Sequence, residues 1–205
     1  PAHFFLMIRR PPRSTLAYSA AASDVYKRQP YHRLVKMVFS NILRKQEVFD
    51  IEKEYLFHFR PGIGDIDLYP EVNNGRHFVF CDLARYDIAL RIGLFKYVRK
   101  KKYAFVIGGS TIRYRKRLAP FRKATIRSKI VGIDEKFYYF QQTIEQRGEV
   151  KSSALIRAGI RFKGGAAPPK ETLRELGYKL EPFMEPWVIQ WAEWDNETRP
   201  WPEPM

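Results

Sequence analysis

Between positions 104 and 162, apolar residues recur at every second position. In 104–118, Ile112 and Tyr114 alternate with Thr111, Arg113 and Arg115. In 123–133, Ala124, Ile126 and Ile130 alternate with Thr125, Arg127 and Lys129. The run 136–146 is aromatic, carrying Phe137, Tyr138, Tyr139 and Phe140, and 150–162 follows it. A period of two is the mark of a strand with one buried face. Ala119-Pro120, Gly132-Ile133-Asp134-Glu135 and Arg147-Gly148-Glu149 interrupt the runs with turn chemistry, the last of them a hairpin signal. The pattern predicts four strands in meander, and 55–60 (YLFHFR) predicts one more upstream.

Over 75–92 the period changes to that of a helix. Phe78, Cys81, Ile88, Ala89 and Ile92 gather in one arc, and Val79, Leu83, Tyr86 and Leu90 in another. Only a narrow stripe is polar, with Arg76, Asp87 and Arg91 on it. A helix apolar over most of its circumference must be covered on several sides. A curved sheet wrapped around it does this. Asn73 and Asn74 are good N-caps and Gly93 is a stop. The cations over 99–102 read as a basic link, 164–169 as a linker, and 171–176 as a short helix before a Trp- and Pro-rich tail.

The 205 residues suffice for one domain with a full core. A single cysteine, Cys81, excludes an intramolecular disulfide framework and any Cys-pair zinc site. The four histidines are scattered, so no metal or redox cofactor is expected. Lys and Arg number 37 against 22 acids, a net charge of +15 that points to an anionic partner. Residues 1–29 resemble translated sequencing-adapter read-through and read as a non-native leader. Setting that segment aside lowers the charge to +11. Within 30–50, the stretch 31–46 places Leu34, Val35, Val38 and Ile42 at helical spacing among basic residues. It reads as a helix packed on the domain edge, with weak membrane-surface contact as the alternative.

The residues between strand and helix carry a resemblance. Asp65-x-Asp67, then Asn73-Asn74, then Asp82-x-x-Arg85, is similar to the signature of hotdog acyl-CoA thioesterases, in the 4-hydroxybenzoyl-CoA thioesterase-like branch with its THEM-type relatives. The segments 109–115 and 132–138 resemble the same branch. The resemblance implies an α+β hotdog fold over 51–165, with an antiparallel sheet of about five strands around one long central helix and 166–205 as an appended helix and tail. It implies hydrolysis of an acyl-CoA to free acid and coenzyme A. Asp67 would be the catalytic carboxylate, as nucleophile or as general base, and the backbone N–H near Asn74 the oxyanion contact. The physics agrees, because a helix N-terminus carries unpaired N–H groups and partial positive charge.

Asn73, Glu71, His77, Gly109, Arg113 and Arg115 are candidate substrate-binding residues. Arg113 and Arg115 belong, with Lys116, Arg117, Arg122 and Lys123, to a basic cluster able to meet the phosphates of coenzyme A. Glu71 stands where the family usually has His. It either adds like charge beside Asp67 or pairs with a nearby arginine. Asp65 reads as a loop-ordering residue, Asp82 and Arg85 as a structural ion pair, and Cys81 as core. In the family the pocket lies between subunits, so a homodimer or homotetramer is expected, in the cytoplasm. The alternatives are a non-catalytic hotdog protein that holds acyl-CoA or lipid, and a basic nucleic-acid-binding protein. The last lacks any helix-turn-helix, zinc-finger or RNA-recognition signature, so nucleic acid is not an expected partner.

Overall fold

The computed structural model describes Arg33, Val35, Met37 and residues 50–199. Residues 1–40 and 41–205 form two separate units. In the first, the three described residues are helical. The expected leader over 1–29, and the rest of the 31–46 stretch, lie outside the described residues.

The second unit begins with β1 (Tyr55–Phe59), a 3-10 turn (Ile63–Asp65) and helix α1 (Asn74–Arg91). Asn73 caps α1 by accepting a hydrogen bond from the Gly75 N–H at 2.9 Å. Gly93 ends it in the left-handed conformation, φ 76°, which costs an L side chain but not glycine. Of the 18 residues of α1, only Asn74 and Gly75 are exposed, so the helix is enclosed as its apolar circumference requires. The polar stripe is enclosed too. Asp87 is buried, pairs with Arg91 at 3.0 Å and accepts a hydrogen bond from the Tyr55 hydroxyl.

Helix α2 (Leu94–Lys101) follows directly. The expected basic link is therefore the end of a helix. Leu94 and Val98 are buried one turn apart, and Arg99, Lys100 and Lys101 sit in the last turn, where cations meet the negative end of the dipole. Then come β2 (Ala104–Tyr114), β3 (Ala124–Ile133), β4 (Phe137–Gln146) and β5 (Glu149–Phe162). The strands form one antiparallel sheet in the order β1-β3-β4-β5-β2, curled around α1. This is the hotdog arrangement.

The meander expected for all four strands holds only for β3, β4 and β5. β2 lies at the far edge beside β5, and the 115–123 loop crosses the end of the sheet to start β3. Alternation marks a strand and its buried face, but carries no information about which strand it pairs with. A bulge at Gly108 shifts the β2–β5 register. A Cβ there would lie 2.7 Å from the Phe137 ring, so the backbone needs glycine at that point.

Beyond β5 lie β6 (Gly165–Ala166), α3 (Pro169–Glu175), β7 (Phe183–Met184), α4 (Pro186–Glu193) and a π-helical turn (Trp194–Thr198). The described part of the tail, to residue 199, thus carries ordered secondary structure. α4 lays Val188, Trp191 and Ala192 over Val131, Tyr139 and Leu155 on the outer face of the sheet. Arg157 of β5 pins it there, held between the Phe137 and Trp191 rings and bonded to Asp195, Asn196 and the Gly108 carbonyl. Among the described residues, no helix is long and apolar enough to cross a membrane.

Candidate active site at the helix N-terminus

The loop between β1 and α1 is built by short-range polar bonds. Buried Asp65 accepts from the Gly62 N–H at 2.7 Å through its carboxylate and from the Asn73 N–H at 2.8 Å through its carbonyl. It orders the loop. The Asp67 N–H donates to the Glu71 carbonyl at 3.0 Å, closing the turn that carries Leu68, Tyr69 and Pro70. The Asp67 carboxylate then accepts from the Asn73 side-chain amide at 2.9 Å and from the Leu68 N–H at 2.8 Å. One residue, Asn73, therefore caps α1 with its amide oxygen and holds Asp67 with its amide nitrogen.

The cap leaves the tip of the helix with an open donor. The Gly75 N–H is taken by the Asn73 side chain and the Arg76 N–H by the Asn73 carbonyl. Among the described residues the N–H of Asn74, the first residue of the helix, has no partner, and it lies where the helix dipole is positive. A cleft of about 270 Å³ opens there, lined by Glu71, Asn74, His77, Tyr114 and Arg115–Leu118. Asp67 is exposed at the loop tip and does not line this cleft within one chain.

Glu71 pairs with Arg117 at 3.1 Å, so its charge is met by an arginine. His77 is buried under the cleft, its Nδ1 2.8 Å from the Ser152 hydroxyl and its ring edge-on to Tyr114. Burial pushes its pKa from 6.5 down to about 4, so it stays neutral and serves as polar floor. The folded state resists a proton that the unfolded chain accepts. Stability should therefore fall as pH drops from about 6.5 to about 4 and level off below. Urea midpoints across that range should show the slope, and His77→Gln should flatten it.

Of the remaining expected residues, Arg115 lines the cleft and has no acidic partner among the described residues. Arg113 lies on the opposite face of β2 from Tyr114, by alternation. Gly109 lies away from the cleft, under the tail. A Cβ there would meet Asp195 at 3.0 Å and Trp191 at 3.2 Å, so the close approach its small size permits is made by protein. Tyr114 escaped the sequence reading as a site residue. Its hydroxyl donates to the Asn74 carbonyl at 3.0 Å and ties the end of β2 to the start of α1. An aromatic alcohol at the end of an alternating run, just before a basic turn, was the available signal.

Deeper along α1 an apolar cavity of about 150 Å³ lies between helix and sheet, among residues such as Ala89, Ile92, Phe105, Ile107 and Phe140. The Asp82–Arg85 ion pair forms its polar wall. Arg85 continues to buried Gln142, which reaches the Cys81 carbonyl and Ser128. Burial pushes the Cys81 thiol up to about 12, so it is core and no nucleophile. Among the described residues no cluster of His, Cys, Asp or Glu could hold a metal ion.

The same region is what known proteins share with this chain. Residues 61–175 match the thioesterase-like superfamily profile, just over half of the sequence. The chain is 39% identical over 109 residues to protein THEM6 of Danio rerio, covering 53% of this chain and 52% of that one. It spans about half the length of the zebrafish and fruit-fly relatives it matches. It is 31% identical over 93 residues to the long-chain acyl-CoA thioesterase FadM of Escherichia coli, covering 44% of this chain and 70% of that one. Among solved structures, YbaW, a probable thioesterase from Escherichia coli, superimposes with a TM-score of 0.51 at 28% identity, over 60% of this chain and 94% of that one. The match takes in the Asp67 loop, the capped helix and the curled sheet together, and the chain belongs to the thioesterase-like hotdog superfamily.

Proposed function

We propose that this protein hydrolyses acyl-CoA thioesters to a free acid and coenzyme A. The observation that carries the reading is the coupling of Asp67 to the tip of α1 through Asn73, beside the free Asn74 N–H. That N–H would polarise the thioester carbonyl and hold the oxyanion as it develops. Asp67 would attack the carbonyl carbon or take a proton from the attacking water. The thiolate of coenzyme A leaves and is protonated from solvent, and where Asp67 is the nucleophile water then cleaves the acyl–aspartyl anhydride to the free acid and restores the carboxylate. Kinship with FadM, a long-chain acyl-CoA thioesterase, together with the apolar cavity beside α1, supports an aliphatic acyl group over an aromatic one. Release of coenzyme A from short, long and aromatic acyl-CoAs tests this directly. The expected result is turnover highest with long aliphatic chains, and no turnover with any of them would overturn the assignment.

The working unit in this reading is a homodimer. Among the described residues β2 is a sheet edge of 11 residues with an open side, and its end is tied to the tip of α1 by Tyr114. An open edge of that length invites pairing with another strand. A second copy paired there would wall the side of the site on which Asp67 is exposed. Specific activity should therefore rise with protein concentration in step with the dimer fraction measured by sedimentation. A fully active monomer would refute this part.

A further inference from the structure

His77 sits one helical turn beyond Asn74, and both line the cleft at the tip of α1. Residues three apart share a helix face, and a helical side chain leans toward the N-terminus over the preceding turn. The imidazole is therefore carried toward the open Asn74 N–H. The sheet holds it there. Its Nδ1 lies 2.8 Å from the Ser152 hydroxyl on β5, and its ring stands edge-on to Tyr114 of β2, 5.2 Å between centroids. Tyr114 is itself fastened to the Asn74 carbonyl. His77 and Ser152 are 2% and 1% exposed, so the pair is all but enclosed.

That enclosure decides which nitrogen carries the proton. Among the described residues the Ser152 hydroxyl has no partner other than His77. If Nδ1 were the donor, the serine proton would be buried without an acceptor, which is costly. With serine donating to Nδ1, only a hydroxyl lone pair goes unused, and the ring proton falls on Nε2. Burial keeps the ring neutral, its pKa down at about 4, so it carries that one proton only. Among the described residues, the buried side-chain nitrogens and oxygens without a partner are the Nε atoms of Arg127 and Arg157. The His77 Nε2 also lacks a partner but is not one of these, so it meets open space, and the concavity that His77 lines is the cleft.

We infer that the His77 Nε2–H is the second donor of an oxyanion hole whose first donor is the Asn74 N–H, and that Ser152 is the positioning residue that keeps the proton on Nε2. The inference rests on the thioesterase reading above and deepens it. A thioester carbonyl oxygen has two lone pairs, and one backbone N–H meets only one of them. A neutral imidazole suits the other, because its bond strengthens as negative charge builds on the oxygen and both donors are in place before substrate arrives. His77 keeps its proton throughout, and Asp67 keeps the task of base or nucleophile.

Nitrogen-15 NMR of the unaltered protein reads the tautomer directly. A protonated Nε2 and a bare Nδ1 are expected at neutral pH, and the reverse would overturn the proposal. Ser152→Ala should let both tautomers appear and lower kcat, leaving the KM for acyl-CoA in place. His77→Phe combined with Ser152→Ala removes the donor without stranding the hydroxyl. Its kcat should fall by about 10² to 10³, the usual effect of losing one oxyanion donor, with KM little changed. His77→Gln, whose amide still donates, should recover part of the loss. A kcat that survives the double change would refute the assignment, as would a rise in KM alone. Melting curves check the fold, and if the double variant does not fold, the tautomer and the Ser152→Ala kinetics decide. A carba analogue of acyl-CoA, with methylene in place of the sulfur, separates this inference from the reading beneath it. Its ketone stretch should move to lower frequency on binding, and the shift should shrink in the double variant. If that happens while no acyl-CoA is cleaved, the donor pair stands and the hydrolase reading falls. If acyl-CoA is cleaved but both proteins give the same shift, the hydrolase reading stands and the second donor falls.

Discussion

Replacing Asp67 with Asn should remove hydrolysis of acyl-CoA while the protein keeps its fold. The exchange is nearly isosteric and takes away only the charge and the basicity. The two bonds that hold the carboxylate now fall on different oxygens, Leu68 N–H on one and the Asn73 amide on the other, so the introduced amide oxygen keeps one of them and the other is lost at a solvent-exposed position. Residue 67 is exposed and contributes nothing to the core. Stability should therefore change by a few tenths of a kcal/mol, as for surface substitutions generally. Loss of a positioned general base costs about 10² to 10⁴ in rate, and loss of a nucleophile at least as much. The expected result is a kcat reduced by a factor in that range with the melting temperature preserved. Undiminished kcat would remove Asp67 from the chemistry and return the loop to a purely structural role. The substituted protein should still bind coenzyme A, because the cleft at the tip of α1 does not include residue 67.

The second large effect is structural. Arg157→Ala should destabilise the domain by about 3–5 kcal/mol, the range for leaving a buried charge without its partner. The Arg157 and Asp195 side chains are only 8% and 10% exposed, and their contact is 2.8 Å. The guanidinium also binds Asn196 and the Gly108 carbonyl, and it fills the space between Phe137 and Trp191. Removing it strands the Asp195 carboxylate, retaining for it only the largely exposed Arg199. α4 would loosen and uncover Val131, Tyr139 and Leu155. Chemical denaturation should show the loss, and proteolysis should cut first near Trp191. Arg157→Leu with Asp195→Leu should cost markedly less than either single change to alanine, because no lone charge stays buried. Equal losses in all three variants would mean that packing, and not the ion pair, secures the tail.

Much of this arrangement could be read from the chain, and the parts that could not share a cause. Residues 74–91 carry helical periodicity on nearly every face, which by itself demands a wrapping partner. Asn73 announced the cap and Gly93 the stop, because both act within a few residues of their own position. The link over 99–102 was misread because its cations hid the Leu94–Val98 pair, which marks a short amphipathic helix. Beyond the short helix over 171–176 the tail was read only as rich in Trp and Pro, with no elements assigned to it. Its order comes from Arg157, some 38 positions away from Asp195. Gly109 looked like a point of ligand approach, and only the tail's position revealed that protein occupies that space.

Local order along the chain determined the elements themselves: the enclosed helix, five principal strands, the capped loop with Asp67 and Asn73, and the excess of positive charge. Backbone propensity and the side-chain period act over a few residues, so they are written in neighbouring letters. The tertiary structure alone decided which edge β2 would occupy, that Tyr114 would reach Asn74 across 40 positions, that Glu71 would meet Arg117, and that His77 would be buried and neutral. Each of these depends on where distant segments come to rest around α1, and that follows from packing the whole sheet.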